Sequence, residues 1–453
     1  MNNSVNTRAL LLDMLQEITT QKEYSHVVVR NVLNKYNYLN VLDKSFIKRV
    51  CEGTLERQIQ IDYIINSFSK VKVNKMKPVI CIIMRMAVYQ IMFMDSIPDS
   101  AACNEAVKLA QKRGFGQLKG FVNGVLRNIA RGKDTITYPS KEKEPVLAYS
   151  ILYSMPEWIV KRWLDEFGVE TTEIMLEDLL AEHPIVVRMD ENLSEEQQNS
   201  LVKEISDKGI VIKRHPYLSY AYQLRKTEGM TQVPGFMEGK INVQDVSSML
   251  AVEIAQIQKG YEIIDVCAAP GGKTIHLACK LNHTGHIEAR DLSEYKTSMM
   301  DENKQRNPYQ NITIKVWDAT IDCESSHESA DVVLVDAPCS GLGVIGKKRD
   351  IKYHVTEESL EELALLQQTI LKTVQQYVKP GGILIYSTCT INKRENEENV
   401  KWFTDHFPFK LKSLTPMLPD ALKGGTAEEG YLQLLPGLSN TDGFFMARLC
   451  KNK

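Results

Sequence analysis

The chain has 453 residues, 43% of them hydrophobic and 25% charged, with a formal net charge of -2. This length exceeds one ordinary core, and the composition excludes a disordered or collagen-like chain. The near-zero balance conceals an asymmetry, because residues 1–140 carry 20 Lys/Arg against 11 Asp/Glu, and a basic first third points to a polyanionic partner, with nucleic acid foremost.

Residues 1–135 are expected to form an all-helical domain. Segments such as "NTRALLLDMLQEIT", "ACNEAVKLAQKR" and "LKGFVNGVLRNIAR" place apolar residues three and four apart. The most apolar stretch, "PVICIIMRMAVYQIMFM", is interrupted by Arg85 and is shorter than the roughly 20 residues of a bilayer span. It reads as a buried core helix, and no membrane partner is expected. After the polar linker "RGKDTITYPSKEKEP", residues 145–235 mix helices such as "MPEWIVKRWLDEFG" with short strands such as "IVVRM", which predicts a small α+β module.

From 236 to 453 the pattern alternates: strand "EIIDVCA", helix "KTIHLACKL", strand "HIEARDL", helix "YKTSMMDENKQRN", strands "ITIKVWDA" and "DVVLVDAP", helix "EESLEELALLQQTILKTVQQYV" and strand "ILIYSTC". Such spacing predicts a doubly wound, Rossmann-like parallel sheet. The fold class is therefore multidomain, α followed by α/β. Nine cysteines contain no C-x-x-C pair, and nine histidines form no H-E-x-x-H. Reduced thiols, a cytoplasmic location and no metal are expected.

The segment "DVCAAPGGKT", residues 265–274, ends like an ATP-binding loop. That loop requires a glycine five residues before Gly272, where Cys267 stands, and Pro270 has no N–H to offer a phosphate. Ligands of doubly wound sheets lie beyond the carboxyl ends of the strands. Here those ends carry Cys267, Ala268, Ala269, Pro270, Gly271, Gly272 and Lys273, with Asp291, Asp318 and Asp336 on later strands. Two glycines admit close backbone approach, the following helix N-terminus attracts an anionic group, and a strand-end carboxylate such as Asp291 accepts from ribose hydroxyls. An adenosyl ligand with a carboxylate and no phosphates suits this set, and S-adenosylmethionine is such a ligand.

Two further strand ends carry cysteines, Cys339 in "VDAPCSGLG" and Cys389 in "IYSTCT". Carbon 5 of a pyrimidine is a poor nucleophile until a thiolate adds to C6, after which C5 can attack a sulfonium methyl. The reaction needs a reactive thiol, an acid at the base edge and a placed methyl donor. The residues alone leave open which cysteine attacks.

"DVCAAPGGKT", "DAPCSGLGVI" and "YSTCT" resemble motifs I, IV and VI of the RNA cytosine-5 methyltransferases, the Sun or NOL1/NOP2 superfamily. "ACNEAVKLA" and "GFVNGVLRNIAR" resemble the NusB-like RNA-binding domain that precedes the catalytic domain in the RsmB family of bacterial 16S rRNA methyltransferases. The resemblance implies Cys389 as nucleophile, Cys339 as the thiol that helps resolve the adduct, Asp336 at the base edge and Lys273 in support. It implies that residues 267–273, Asp291, Asp318 and Asp336 bind S-adenosylmethionine. The implied partner is 16S rRNA, free or in an early assembly particle, and a monomer is expected. Thr390 stands where the family commonly has serine, and Arg349 where proline is common. The basic helical domain is expected to grip phosphates, and the middle module and the "GKKRDIKY" loop to shape the substrate channel. The alternatives are methylation of tRNA or 23S rRNA, and a non-catalytic RNA-binding factor.

Overall fold

The computed structural model describes residues 6–453, so the first five residues of the expected 1–135 domain lie outside it. The chain divides into two compact units: residues up to Ala181 together with Ile345–His354, and Glu182–Val344 together with Val355–Lys453.

In the first unit, helices Thr7–Gln21, Ser25–Lys35, Val41–Glu56, Gln58–Phe68, Pro78–Phe93, Asp99–Lys112 and Lys119–Gly132 share one apolar core. Pro78–Phe93 is the buried helix expected, with Ile80, Ile83, Met84, Ala87, Val88 and Ile91 all inside. Pro78 sits in its first turn, where no amide hydrogen bond is lost. Arg85, the charge in that helix, forms a two-pronged pair with Asp62, at 2.7 Å from Nε and 2.6 Å from Nη2, so neither partner is buried without compensation. Gly53 lets helix Val41–Glu56 meet Tyr89, whose ring would lie 2.1 Å from any Cβ there. Helices Pro145–Leu152 and Glu157–Asp178 belong to this unit, whereas the strands of the middle segment belong to the other.

Ile345–His354 completes the helical unit. Helix Ser25–Lys35 is preceded by Tyr24, whose side chain makes no capping hydrogen bond. Asp350 supplies one from 325 positions away: it accepts from the Ser25 amide at 2.7 Å and the Ser25 hydroxyl at 2.6 Å. A carboxylate there also faces the positive end of the helix. Arg349 pairs with Glu52 and Glu56, each at 2.8 Å. Lys352 is buried and donates to the carbonyls of Glu56 and Ser154, and Tyr353 donates to Leu55 O. Burial lowers the Lys352 ammonium to about 7. In "GKKRDIKY", therefore, Arg349, Asp350, Lys352 and Tyr353 spend their polar groups inside the helical unit. The expectation that this loop shapes a substrate channel does not extend to those four side chains.

The second unit contains two sheets. Strands β1 (Ile185–Met189), β2 (Val211–Arg214), β3 (Ala221–Arg225) and β4 (Ile241–Val243) form an antiparallel sheet in the order β2-β3-β1-β4. The larger sheet uses β5 (Glu262–Asp265), β6 (His286–Asp291), β7 (Ile312–Val316), β8 (Ala330–Asp336), β9 (Val378–Thr388), β10 (Phe409–Leu411), β11 (Tyr431–Leu434) and β12 (Phe444–Lys451). Its order is β10-β12-β9-β8-β5-β6-β7, with β11 paired to β12. β5 to β9 are the parallel core expected. The strand pattern expected from the sequence ends at β9 and omits the antiparallel extension made by β10, β11 and β12.

Both faces of the parallel core are covered, which explains its nearly continuous apolar strands. Ile263, Val332 and Leu334 join one core with the helix Gly272–Leu281, while Ile264, Val333 and Val335 join another with the helix Glu357–Val374. Chain order reverses at β5, which lies between β6 and β8, and a crevice at such a switch point is where ligands bind. Among the described residues, no helix is long and apolar enough to cross a membrane.

Candidate active site

The turn after β5 is held by its own backbone and by β6. Ala268 N–H donates to Arg290 O at 2.9 Å, Ala269 N–H to Asp291 Oδ2 at 2.9 Å, and Gly271 N–H to Ala268 O at 2.7 Å. The Ala269–Pro270 peptide is cis, and Gly271 has φ 98°, a conformation open to glycine at little cost. Gly271 precedes the helix Gly272–Leu281 and offers no side-chain cap, which leaves amides for an anionic group. Cys267 is half-buried, and its thiol is pushed well up by burial and by the Asp291 carboxylate.

Asp291 is buried and also accepts from Leu292 N–H at 2.7 Å and pairs with Lys296 at 2.9 Å. Asp318, beyond β7, accepts from the amide and hydroxyl of Thr320 at 2.8 and 2.7 Å. Asp336, ending β8, accepts from Lys273 Nζ at 2.7 Å and Ser387 Oγ at 2.8 Å. Lys273 Nζ also lies 5.2 Å over the Phe444 ring, within the range of a cation–π contact.

Asp265, at the end of β5, carries no sequence signal that sets it apart. It is 1% exposed; Thr274 Oγ1 donates to its Oδ2 at 2.7 Å, and its Oδ1 has no partner. Burial, opposed by the Thr274 hydrogen bond, raises this carboxyl to about 7. An unsatisfied buried oxygen, an uncapped helix end and a strand-end carboxylate form a donor and acceptor set that fits an amino-acid-bearing nucleoside.

Cys339 follows β8 and Cys389 follows β9, adjacent strands of one sheet, and their sulfurs lie 3.1 Å apart. Cys339 is held well above the usual thiol range, first by its hydrogen bond with Cys389, then by burial and by the charges of Cys389 and Glu395. Gly343 N–H donates to Cys389 O at 3.1 Å, and a Cβ on Gly343 would come within 2.0 Å of Gly443 O. Only glycine permits that backbone approach. Cys51, Cys81, Cys103 and Cys279 are buried, in keeping with packing thiols.

A second polar cluster lies elsewhere in this unit, where Glu191, Glu253 and His276 converge with metal-ligand spacing. The Lys280 ammonium stands among them, 2.7 Å from Glu191 and 2.5 Å from Glu253. A cation is already built into the sequence there.

Residues 252–450 match the family model of the 16S rRNA methyltransferase RsmB/F, and residues 5–131 match the NusB family. The chain is 33% identical to the probable ribosomal RNA small subunit methyltransferase B of Bacillus subtilis over 98% of both chains. It is 30% identical to the Synechocystis protein of the same description over 99% of this chain and 100% of that one. A crystal structure of a methyltransferase homologue from Pyrococcus horikoshii, 28% identical, covers 68% of this chain and 99% of its own with a TM-score of 0.57. A further solved structure covers 99% of each chain with a TM-score of 0.80 at 25% identity.

Proposed function

We propose, from the premise that the chain belongs to the ribosomal RNA small subunit methyltransferase B family, that this S-adenosylmethionine-dependent enzyme methylates carbon 5 of a cytosine in 16S rRNA through a thiol adduct. The observation that carries the reading is the 3.1 Å separation of Cys339 and Cys389 at neighbouring strand ends, beside a carboxylate held by a lysine. Nothing in a packing role requires that company.

Residues 267–273, Asp265 and Asp291 hold S-adenosylmethionine, which when bound supplies the methyl group. Cys339 keeps its proton, its thiol pushed up by the contact with Cys389 and by burial, and by the family resemblance Cys389 is the sulfur that attacks. The Cys389 thiolate adds to C6, and the C5–C6 electron pair moves onto C5 and the ring carbonyl system. N3 takes up a proton as that charge develops, and Asp336, steadied by Lys273 and Ser387, accepts from N3–H and the exocyclic amine. After C5 takes the methyl group, a base removes the C5 proton, the electron pair of that C–H bond restores the C5–C6 double bond, and Cys389 leaves as the thiolate. Cys339 assists this resolution and product release.

A cytosine in structured RNA must first be unstacked, at roughly a few kcal/mol, and the basic helical unit offsets that cost by gripping phosphates. The enzyme acts in the cytoplasm as a monomer, on free RNA or an early assembly particle. The test is to incubate the full chain with methyl-labelled S-adenosylmethionine and, separately, small-subunit precursor RNA, 23S rRNA and tRNA, and to map the labelled base. Label at C5 of one 16S cytosine is expected. Label only in tRNA or 23S rRNA moves the substrate, and no label on any RNA ends the proposal.

A further inference from the structure

The two thiols sit on separate loops, so their spacing needs a cause. Glu395 is 0% exposed, and four donors converge on its carboxylate. Oε2 accepts from Ser340 N–H and Gln367 Nε2, both at 2.9 Å. Oε1 accepts from the Ser340 hydroxyl and from Asn392 Nδ2 at 3.0 Å. Ser340 is the residue after Cys339. The neighbour of Glu395 reaches the other loop: Asn396 Oδ1 accepts from Thr388 Oγ1 at 2.6 Å, and its Nδ2 donates to Thr390 O at 3.1 Å. Thr388 and Thr390 flank Cys389. The hydroxyls of Ser340 and Thr390 then meet at 2.7 Å, which closes the bridge.

We propose that Glu395 and Asn396 are positioning residues, the first fixing the loop that carries Cys339 and the second the strand end that carries Cys389, so that adjacent residues on one short turn set the distance between the two thiols. The carboxylate is needed for its charge as well as its shape. Gln367 cannot turn its amide round, because its Oε1 already accepts from Tyr386 and Asn399 at 3.0 and 2.8 Å. Oε2 of Glu395 must therefore be an acceptor, and a glutamine there must turn its own N–H₂ toward the Asn392 amide donor and force the Ser340 hydroxyl to reverse from donor to acceptor. Networks of this kind orient reactive groups that they never touch chemically.

The kinetic part of this inference rests on the methyl-transfer reading, whereas the geometric part does not, and the experiment separates them. The full chain, Glu395→Gln and Asn396→Ala are treated with a diazenedicarboxamide oxidant. Two thiols give up their hydrogens to the N=N bond, an S–S bond forms, and the oxidant leaves as the hydrazine. The rate at which the Cys339–Cys389 peptide pair appears is read by mass mapping. Affinity for S-adenosylmethionine and single-turnover methyl transfer are measured in parallel.

Both variants are expected to cross-link at least about tenfold more slowly and to lose about a hundredfold in the methyl-transfer step, as displaced reacting groups do. Affinity for S-adenosylmethionine and KM for RNA should stay near wild type. Where Glu395→Gln does not fold, Ser340→Ala carries the same expectation, since it removes one hydroxyl and leaves the carboxylate bound to the Ser340 amide. A cross-linking rate that is unchanged or faster in folded variants overturns the inference whatever happens to methylation. Slower cross-linking in a protein whose parent methylates no cytosine upholds the positioning and overturns the reaction instead.

Discussion

Lys273 and Asp336 stand 2.7 Å apart, joining the first turn of the helix after β5 to the end of β8. On the proposed reading, the pair would tie the methyl-donor side of the crevice to the side that holds the base. Asp336→Asn keeps the shape and removes the charge that Lys273 and Ser387 hold in place. We expect a loss of about 10²-fold or more in single-turnover rate, on the scale of a misplaced acid or base. Lys273→Met should lose rate as well, because the freed carboxylate can turn away. Rates within twofold of wild type in both variants would remove Asp336 from the base edge.

The two cysteines should fail in different ways. Cys389→Ala is expected to abolish methyl transfer and to form no adduct. Cys339→Ala is expected to accumulate a protein–RNA adduct that survives denaturing electrophoresis, since the bond to C6 forms but is released slowly. An adduct found only in Cys389→Ala would reverse the assignment.

Asp265 makes stability depend on pH with a definite sign. Its folded pKa, about 7, lies above the ordinary carboxyl value of 3.8. The folded state therefore binds this proton more tightly, and its contribution is complete below about pH 4 and is lost as pH rises through 7. Asp265→Asn removes the titration. In thermal melts without ligand, the variant should gain on wild type from about pH 4 to about pH 7 and then level off, and parallel curves would contradict the buried, unsatisfied state of this group.

Asp350→Ala removes the acceptor for the Ser25 amide and hydroxyl. Loss of a buried charged acceptor should cost about 1–3 kcal/mol. Urea unfolding of the full chain, followed by amide hydrogen exchange in the helical unit, would reveal it as a lower midpoint. Asp350→Asn should recover part of that loss.

Lys119, Arg127 and Arg131 are exposed on the helix Lys119–Gly132. If this face grips phosphates, replacing all three by alanine should reduce the slope of log affinity against log salt by about 0.7–0.9 for each phosphate no longer neutralised. Filter binding between low and physiological salt would measure it, and an unchanged slope would assign the grip to another face.

The legible part of this protein was what local chemistry marks. Gly271 and Gly272 after a strand, Pro338 before Cys339, and carboxylates at successive strand ends announce themselves by spacing, and the structure gathers Lys273, Asp336, Cys339 and Cys389 at the ends of β5, β8 and β9. Helical periodicity likewise identified the buried helix Pro78–Phe93, including the charge that Asp62 answers. What stayed hidden depends on distant partners. Glu395 lies in the polar run "NKRENEEN", which reads as a solvated surface until Ser340 and Gln367 close over it. Asp265 looks like an ordinary strand end, and its free oxygen is a property of packing. β12 reads "FFMARLCK", too apolar to reveal its direction, and its antiparallel pairing follows from where β9 leaves an open edge.

The inclusion of Ile345–His354 in the helical unit bears on biosynthesis. Most of that unit leaves the ribosome early, and domains generally fold as they emerge. Here the acceptor for Ser25 and the side chain that ties Glu56 O to Ser154 O are translated only after β5 to β8 of the catalytic sheet. The helical unit therefore gains these contacts only after residues 345–354 have been made.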